Sequence, residues 1–167
     1  MYVLRLCGLI ALGFLSGCSH YQLGTGAAPA FHSIYVEPVA NRTTLPQARE
    51  IVTTQIRETF ARDGRVSLVN SPESADATLT VVLVDYHRDV AAVREGDTGL
   101  ARKFNLVLGV DCTLRQRDGT VLFQNRRITA RREAFTDSGQ LQAEYDTVPL
   151  LAEDLARQIA HAALDVW

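Results

Sequence analysis

Lysine is almost missing from this chain: of its 17 basic residues, Lys103 alone is not arginine. Arginine grips phosphate with two parallel hydrogen bonds where lysine offers a point charge, so the bias is compatible with an anionic ligand. Base composition of the coding gene would produce the same bias, and both readings stay open. Excess charge of one sign is also missing, since 17 basic residues face 19 acidic ones. That balance argues against nucleic acid, which would require a basic face. Cysteine is scarce, at three residues, which excludes a disulfide framework. No Cys-x-x-Cys or His-x-x-x-His spacing points to a metal. The four histidines, His20, His32, His87 and His161, are scattered. Neither a Gly-x-Ser-x-Gly elbow nor a Walker-type glycine loop is present. Asp85, Tyr86 and His87 stand together, but neighbours on a strand point to opposite faces. We therefore expect no enzyme and no cofactor.

A long hydrophobic run is lacking as well. Crossing a bilayer takes roughly 20 apolar residues, and the apolar run here covers only Leu6 to Phe14. Arg5 precedes it and small residues follow, which is the layout of a secretory leader. The leader ends in "LSGC", and Leu15-Ser16-Gly17-Cys18 resembles the lipobox of bacterial lipoproteins. That resemblance implies cleavage before Cys18 and attachment of a diacylglyceryl group to its sulfur. The alternative is a cysteine that happens to follow an uncleaved anchor. Several acyl chains on one residue anchor durably where a single chain does not. Ser19 in place of Asp implies export to the outer membrane. We thus expect a leader at 1–17, a lipidated tether at 18–32 and one domain at 33–167. Removing the leader takes only Arg5 from the charge balance, giving 150 residues with a net charge of −3. Cys112 then has no cysteine partner and shares an alternating face with Phe104, Leu106, Leu108, Val110 and Leu114, so it reads as buried and inert.

Periodicity marks out the domain. "SIYVEPV" reads as a first strand burying Ile34, Val36 and Pro38. A helix follows, capped by Thr44 with Pro46 in its first turn and Gln47 closing a capping box. It buries Ala48, Val52, Ile56 and Phe60 and stops at Asp63-Gly64. "RVSLV" is a short strand and "NSPESAD" a turn-rich loop. Ala77 to Asp89 reads as a central strand and Phe104 to Arg115 as a strictly alternating one. Asp118-Gly119 signals a hairpin into a last strand, Val121 to Glu133. Arg126, Arg127, Arg131 and Arg132 crowd that strand and mark a candidate partner surface. Val148, Leu151, Leu155, Ile159, Ala162 and Val166 step by three or four along a final helix, capped by Asp146 or Thr147 with Pro149 in its first turn. The expected fold is α+β, a two-layer sandwich in the order β-α-β-β-β-β-α, with two helices on one face of a mixed, mostly antiparallel sheet of four to five strands.

Several of these stretches together resemble the LptE-like family of lipopolysaccharide (LPS) assembly lipoproteins. They are Tyr21-Gln22-Leu23 soon after the cysteine, "IYVEPVANRT" from Ile34 to Thr43, and "SADATL" from Ser74 to Leu79. The family's Gly after the cysteine is Ser19 here, and its Arg after the leucine is Gly24. The resemblance implies a plug and assembly factor for the outer-membrane β-barrel that exports LPS, held to that membrane by its lipid and in contact with LPS. It also implies an LPS-binding basic residue in the loop "REGDTGLARK", which places Arg94 as the match, with Arg102 and Lys103 close behind. A second family lysine ahead of the last helix is replaced by "QLQAE", Gln140 to Glu144. A second function stays open: a periplasm-facing lipoprotein that binds a small ligand or envelope polymer, or a component of another secretion complex. Asn41-Arg42-Thr43 is a formal glycosylation sequon that reads as turn chemistry.

Overall fold

The computed structural model describes residues 29–92, 103–135 and 139–165. Its elements are β1 (Ser33–Val36), β2 (Ala40–Asn41), α1 (Ala48–Asp63), β3 (Ser67–Val69), a 3-10 turn (Pro72–Ser74), β4 (Ala77–Ala92), β5 (Lys103–Gln116), β6 (Val121–Phe135) and α2 (Gln140–Leu164). The strands form one mixed sheet in the order β3-β1-β4-β5-β6, with β2 added alongside β4. β1 runs parallel to β3 and β4, whereas β4, β5 and β6 are antiparallel. Both helices pack against each other and against the sheet. The α+β sandwich expected from the sequence is what forms, with one strand more than counted because β2 is only two residues long.

Alternation decides which face meets the helices. Along β5 the even-numbered residues from Phe104 to Leu114 are buried, facing Leu151, Leu155 and Ile159 of α2 within one core. Each such large side chain contributes about 1.5–3 kcal/mol by leaving water. Ala152, Ala156, Ala160 and Ala163 are buried beside them, and these small residues let the helix approach closely. α1 buries Ala48, Val52, Ile56 and Phe60, the four-residue steps read in the sequence. Gly64 ends it with a left-handed φ of 73°.

Four local expectations need correction. Ile34 and Val36 are buried, but the alternation breaks after β1: Pro38 is exposed and Val39 is buried. The Val39 N–H then bonds to Thr53 Oγ1 of α1 at 3.1 Å. Thr44 does not cap α1, whose N-cap is Gln47 with no side-chain bond. The turn chemistry sits three residues earlier instead, where Asn41 Oδ1 accepts from both the N–H and the hydroxyl of Thr43 at 2.8 Å. α2 does not begin at Asp146 or Thr147 but at Gln140, so Pro149 lies inside it. The N–H that proline lacks would have bonded to the carbonyl of Tyr145, and the hydrogen-bond ladder is interrupted there. The burial of Ala143, Thr147, Val148 and Leu151 carries the helix across the gap.

The Asp118-Gly119 signal is realised as a three-residue loop. Gly119 donates to Gln116 O at 3.0 Å and holds a left-handed φ of 90°, while Gln116 donates to Thr120 O at 2.8 Å.

Candidate functional site

The two ends of the sheet are set apart by the length of its central strand. At one end the chain emerges from its N-terminal segment. Ala30 O accepts from Gln116 Nε2 at 3.0 Å, Phe31 is buried in the core, and the Asp76 carboxylate accepts the N–H groups of His32 and Ser33 at 3.2 and 3.0 Å. Arg117 closes the cluster, donating to Ala75 O at 2.8 Å and pairing with Asp76 at 3.2 Å. Hydrogen bonds from the Ser33 side chain and the backbone hold the Asp76 carboxyl below its usual range. The motifs singled out in the sequence therefore do structural work here. The Asp of "SADATL" ties down the start of β1, and the Asn and Thr of "IYVEPVANRT" form the turn into α1. Within that stretch Glu37 also accepts from Thr80 Oγ1 at 2.7 Å.

At the other end stand the start of β5, the end of β6 and the first turns of α2. Lys103 pairs with Glu133 at 2.7 Å, and its ammonium lies 5.8 Å from the centroid of the Phe135 ring. The three most exposed large apolar side chains among the described residues stand here: Phe135 at 56%, Leu141 at 82% and Tyr145 at 67%. Leu141 and Tyr145, four residues apart on α2, line a shallow groove of about 520 Å³ with Gly139, Gln140 and Gln142. The replaced family lysine falls in this helical stretch. Glu144 turns inward, accepting from Tyr86 Oη at 2.8 Å and from Arg88 at 2.5 Å. Burial, and after it the Glu144 carboxylate, raises the Tyr86 phenol well above its ordinary value. Of the candidate LPS residues only Lys103 is described. Arg94, Arg102 and the lipidation candidate Cys18 lie outside the described residues.

A bulge between Leu83 and Asp85 explains how Tyr86 comes to face α2. The extra residue inverts the alternation of β4, sending Tyr86 and Arg88 to the helices and Asp85, His87 and Asp89 to the opposite face. On that face His87 Nδ1 lies 3.0 Å from Asp85 Oδ1. Tyr86 is thus separated from both by the thickness of the sheet, and the three do not form a catalytic set. Cys112 is fully buried, and its thiol is pushed up to about 12, mainly by that burial. Among the described residues no cluster of His, Cys, Asp or Glu is arranged to hold a metal ion, and no helix is long and apolar enough to cross a membrane.

The four arginines of β6 do not act together. Arg127 pairs with Asp111 at 2.6 Å and Arg131 with Asp89 at 3.2 Å, both on the face away from the helices. Arg132 turns to the other side and pairs with Asp154 of α2, which Arg157 also contacts. The bond from Arg132 is the main cause holding the Asp154 carboxyl below its usual range. Arg126 lies over the Phe123 ring at 5.7 Å and has no acidic partner among the described residues. Three of the four are thus explained by cross-strand and strand–helix pairing, which residue spacing alone could not reveal.

Comparison with known proteins agrees with this architecture. The model of the LptE lipopolysaccharide-assembly family matches residues 31–163. No curated protein matches the chain. Among solved structures, a minor lipoprotein of Acinetobacter baumannii superposes with a TM-score of 0.52 at 20% identity, covering 79% of this chain and 91% of that one. Lipoprotein B of Nitrosomonas europaea gives 0.56 at 19%, covering 83% and 86%. A PelC dodecamer of Paraburkholderia phytofirmans gives 0.53 at 18%, covering 83% and 95%. At these identities the structures establish the fold alone. The family match spans the whole described core, from the strand that Asp76 ties down to the last turn of α2, and the chain belongs to the LptE family of lipopolysaccharide-assembly lipoproteins.

Proposed function

We propose that this chain is an outer-membrane lipoprotein that fills the lumen of the LPS-exporting β-barrel as a plug and assembly factor. On this reading it presents the end bearing Lys103, Phe135, Leu141 and Tyr145 to LPS. The observation that carries the proposal is the polarity of the fold. The N-terminal segment joins the body beside Gln116, at the start of β4, while the three most exposed large apolar side chains among the described residues gather where β4 ends. Sixteen residues of strand separate the two ends, about 50 Å at roughly 3.3 Å per residue. A bilayer is about 40–45 Å thick with its headgroups. A body tied at Cys18 to the periplasmic leaflet, with up to about 40 Å of tether between Cys18 and Pro29, has the reach to bring its far end to the opposite leaflet. The chemistry of that end suits an amphiphile with phosphates. Lys103, with Arg94 and Arg102 from the adjoining loop, supplies cations, and the apolar side chains supply surface for acyl chains.

A pulldown of the tagged chain from detergent-solubilised outer membrane, followed by mass spectrometry of its N-terminal peptide, tests this reading. We expect a large β-barrel to co-purify and Cys18 to carry diacylglyceryl and N-acyl groups. Recovery without a barrel, with LPS export intact after depletion, would favour a free-standing lipoprotein that serves another ligand or envelope complex. An unmodified Cys18 would remove the anchor and the reach argument with it.

A further inference from the structure

We infer that the outer edge of β6 is a docking site for an extended acidic segment of a partner polypeptide, which adds to the sheet as a further strand. Among the described residues β6 is the terminal strand of the sheet, with only β5 beside it. In an antiparallel ladder alternate residues turn their N–H and C=O groups to the neighbour and the rest turn them outward. Thr129 fixes the parity, because its carbonyl oxygen accepts from Gln158 Nε2 of α2 at 3.4 Å and so points away from β5. Arg127, Arg131 and Glu133 share that parity. Among the described residues their outward N–H groups find no hydrogen-bond acceptor. From Arg127 to Phe135 this edge ladder runs for about 30 Å, with the Thr129 carbonyl already taken by Gln158.

Edges this long are normally protected by bulges, prolines or charge. Here the protection is partial. A register shift lies between Cys112 and Leu114, opposite the stretch of β6 where Asn125 takes a positive φ of 50°. From Arg127 onward the pairing with β5 is regular. Along that stretch Arg127, Arg131 and Arg132 are answered by Asp111, Asp89 and Asp154, and Glu133 by Lys103. The one charge of β6 left without a partner among the described residues is Arg126, and it selects the occupant. Arg126 is free of acidic partners among the described residues. It lines a groove of about 260 Å³ between β6 and α2, together with Ile128, Thr129, Gln158 and His161. No carboxylate of the described residues lines that groove. A basic strand would set like charge against Arg126, with no such carboxylate there to offset it. A strand carrying a carboxylate opposite Arg126 would gain an ion pair beside the backbone ladder, the recognition mode in which backbone bonds give affinity and side chains give specificity. The inference concerns this chain's own edge and holds whether or not the opposite end binds LPS.

The test uses the 15N-labelled full chain in detergent micelles and three probes: a blocked heptapeptide of alternating valine and threonine with one central glutamate, the same peptide with lysine, and inorganic phosphate. The glutamate peptide should shift and slow the exchange of the Arg127, Thr129 and Arg131 amides, and bind about five-fold more tightly than the lysine peptide at low salt. Thr129→Pro removes an outward N–H that the fold does not use, as edge strands tolerate, and should abolish that binding while leaving the far amides unchanged. Arg126→Glu should invert the preference between the two peptides and decides the matter if the proline variant fails to fold. Equal affinity for both peptides, protection of amides elsewhere, a response to phosphate without one to peptide, or a Thr129→Pro protein that folds and binds normally would each overturn the inference.

Discussion

Replacing Glu144 with alanine should loosen the first two turns of α2 and leave the rest of the domain in place. The Glu144 carboxylate holds Tyr86 Oη at 2.8 Å and Arg88 at 2.5 Å, and through them pins Gln140–Val148 to β4. A hydrogen bond to a charged group contributes about 1.5–3 kcal/mol, and an ion pair with an arginine as open as Arg88 adds less than about 1 kcal/mol. Tyr86 is only half-buried and recovers part of its loss from water, so about 2 kcal/mol is the expected cost. The interruption at Pro149 confines the effect. Without the N–H that would bond to Tyr145 O, opening of the segment before the proline breaks one bond fewer to the segment after it, and the two are less tightly coupled than in an unbroken helix. Native-state hydrogen exchange measures this directly. Amides of Glu144 to Val148 should exchange about 30-fold faster in Glu144→Ala, since 1.4 kcal/mol is a factor of ten. Those of Leu155 to Ala163 should change by less than about two-fold. Tyr86→Phe, which keeps the pair with Arg88, should give an intermediate rate. Unchanged exchange before Pro149, or equal acceleration on both sides of it, would refute the reasoning.

Two further outcomes follow. The Asp63, Asp76 and Asp154 carboxyls all lie below their usual range, with hydrogen bonds from Arg65, from Ser33 and its neighbours, and from Arg132 as the leading causes. A depressed value in the fold means stability that is full above the unfolded value of about 3.9 and is lost as pH falls through the lower folded values. Urea midpoints should therefore decline below about pH 5, and Asp154→Asn should flatten part of that decline; a midpoint independent of pH down to 2 would contradict the assignment. Leu141→Ser with Tyr145→Ser should leave the thermal midpoint within about 2 °C, because exposed side chains carry little of the fold, while weakening LPS capture several-fold. Unchanged capture would remove the apolar end from the binding surface.

The core was legible because period-two and period-four spacings report burial directly. Phe104 to Leu114 and Ala48 to Phe60 behave as read because each fills one face of a regular element. What misled the reading was local chemistry overruled by packing. Pro149 reads as a first-turn residue on propensity, yet Ala143, Thr147 and Val148 bury enough surface to carry the helix through it. Thr44 reads as a cap, but Asn41 takes Thr43 into its own turn, and α1 begins only at Ala48. The β4 bulge had no signature in the residues of β4 itself. Its one sign was Gly109 on the facing strand, where an added Cβ would lie 3.1 Å from Asp85 Cβ. The arginine crowding of β6 was visible, but the acids that answer it come from three other elements, and only the register brings Asp111, Asp89 and Asp154 within reach.

The residues that carried the resemblance and those that carry the candidate binding end are different sets, at opposite ends of the sheet. Ile34 to Thr43 and Ser74 to Leu79 fix β1 on β4 and the turn into α1, and Glu37, Asn41, Thr43 and Asp76 use their side chains for hydrogen bonds inside the fold. Such residues report how the body is built where the tether leaves it, and they say nothing about the ligand. The end that would meet LPS holds Lys103 against Glu133 and Phe135, and apolar residues on two exposed turns of helix. A helix end that keeps Leu141 and Tyr145 in water while Glu144 holds it down gains nothing in stability from those two side chains. A hydrophobic pair held in water at such a place is best accounted for by a partner surface, a full β4 length from where the N-terminal segment joins the body.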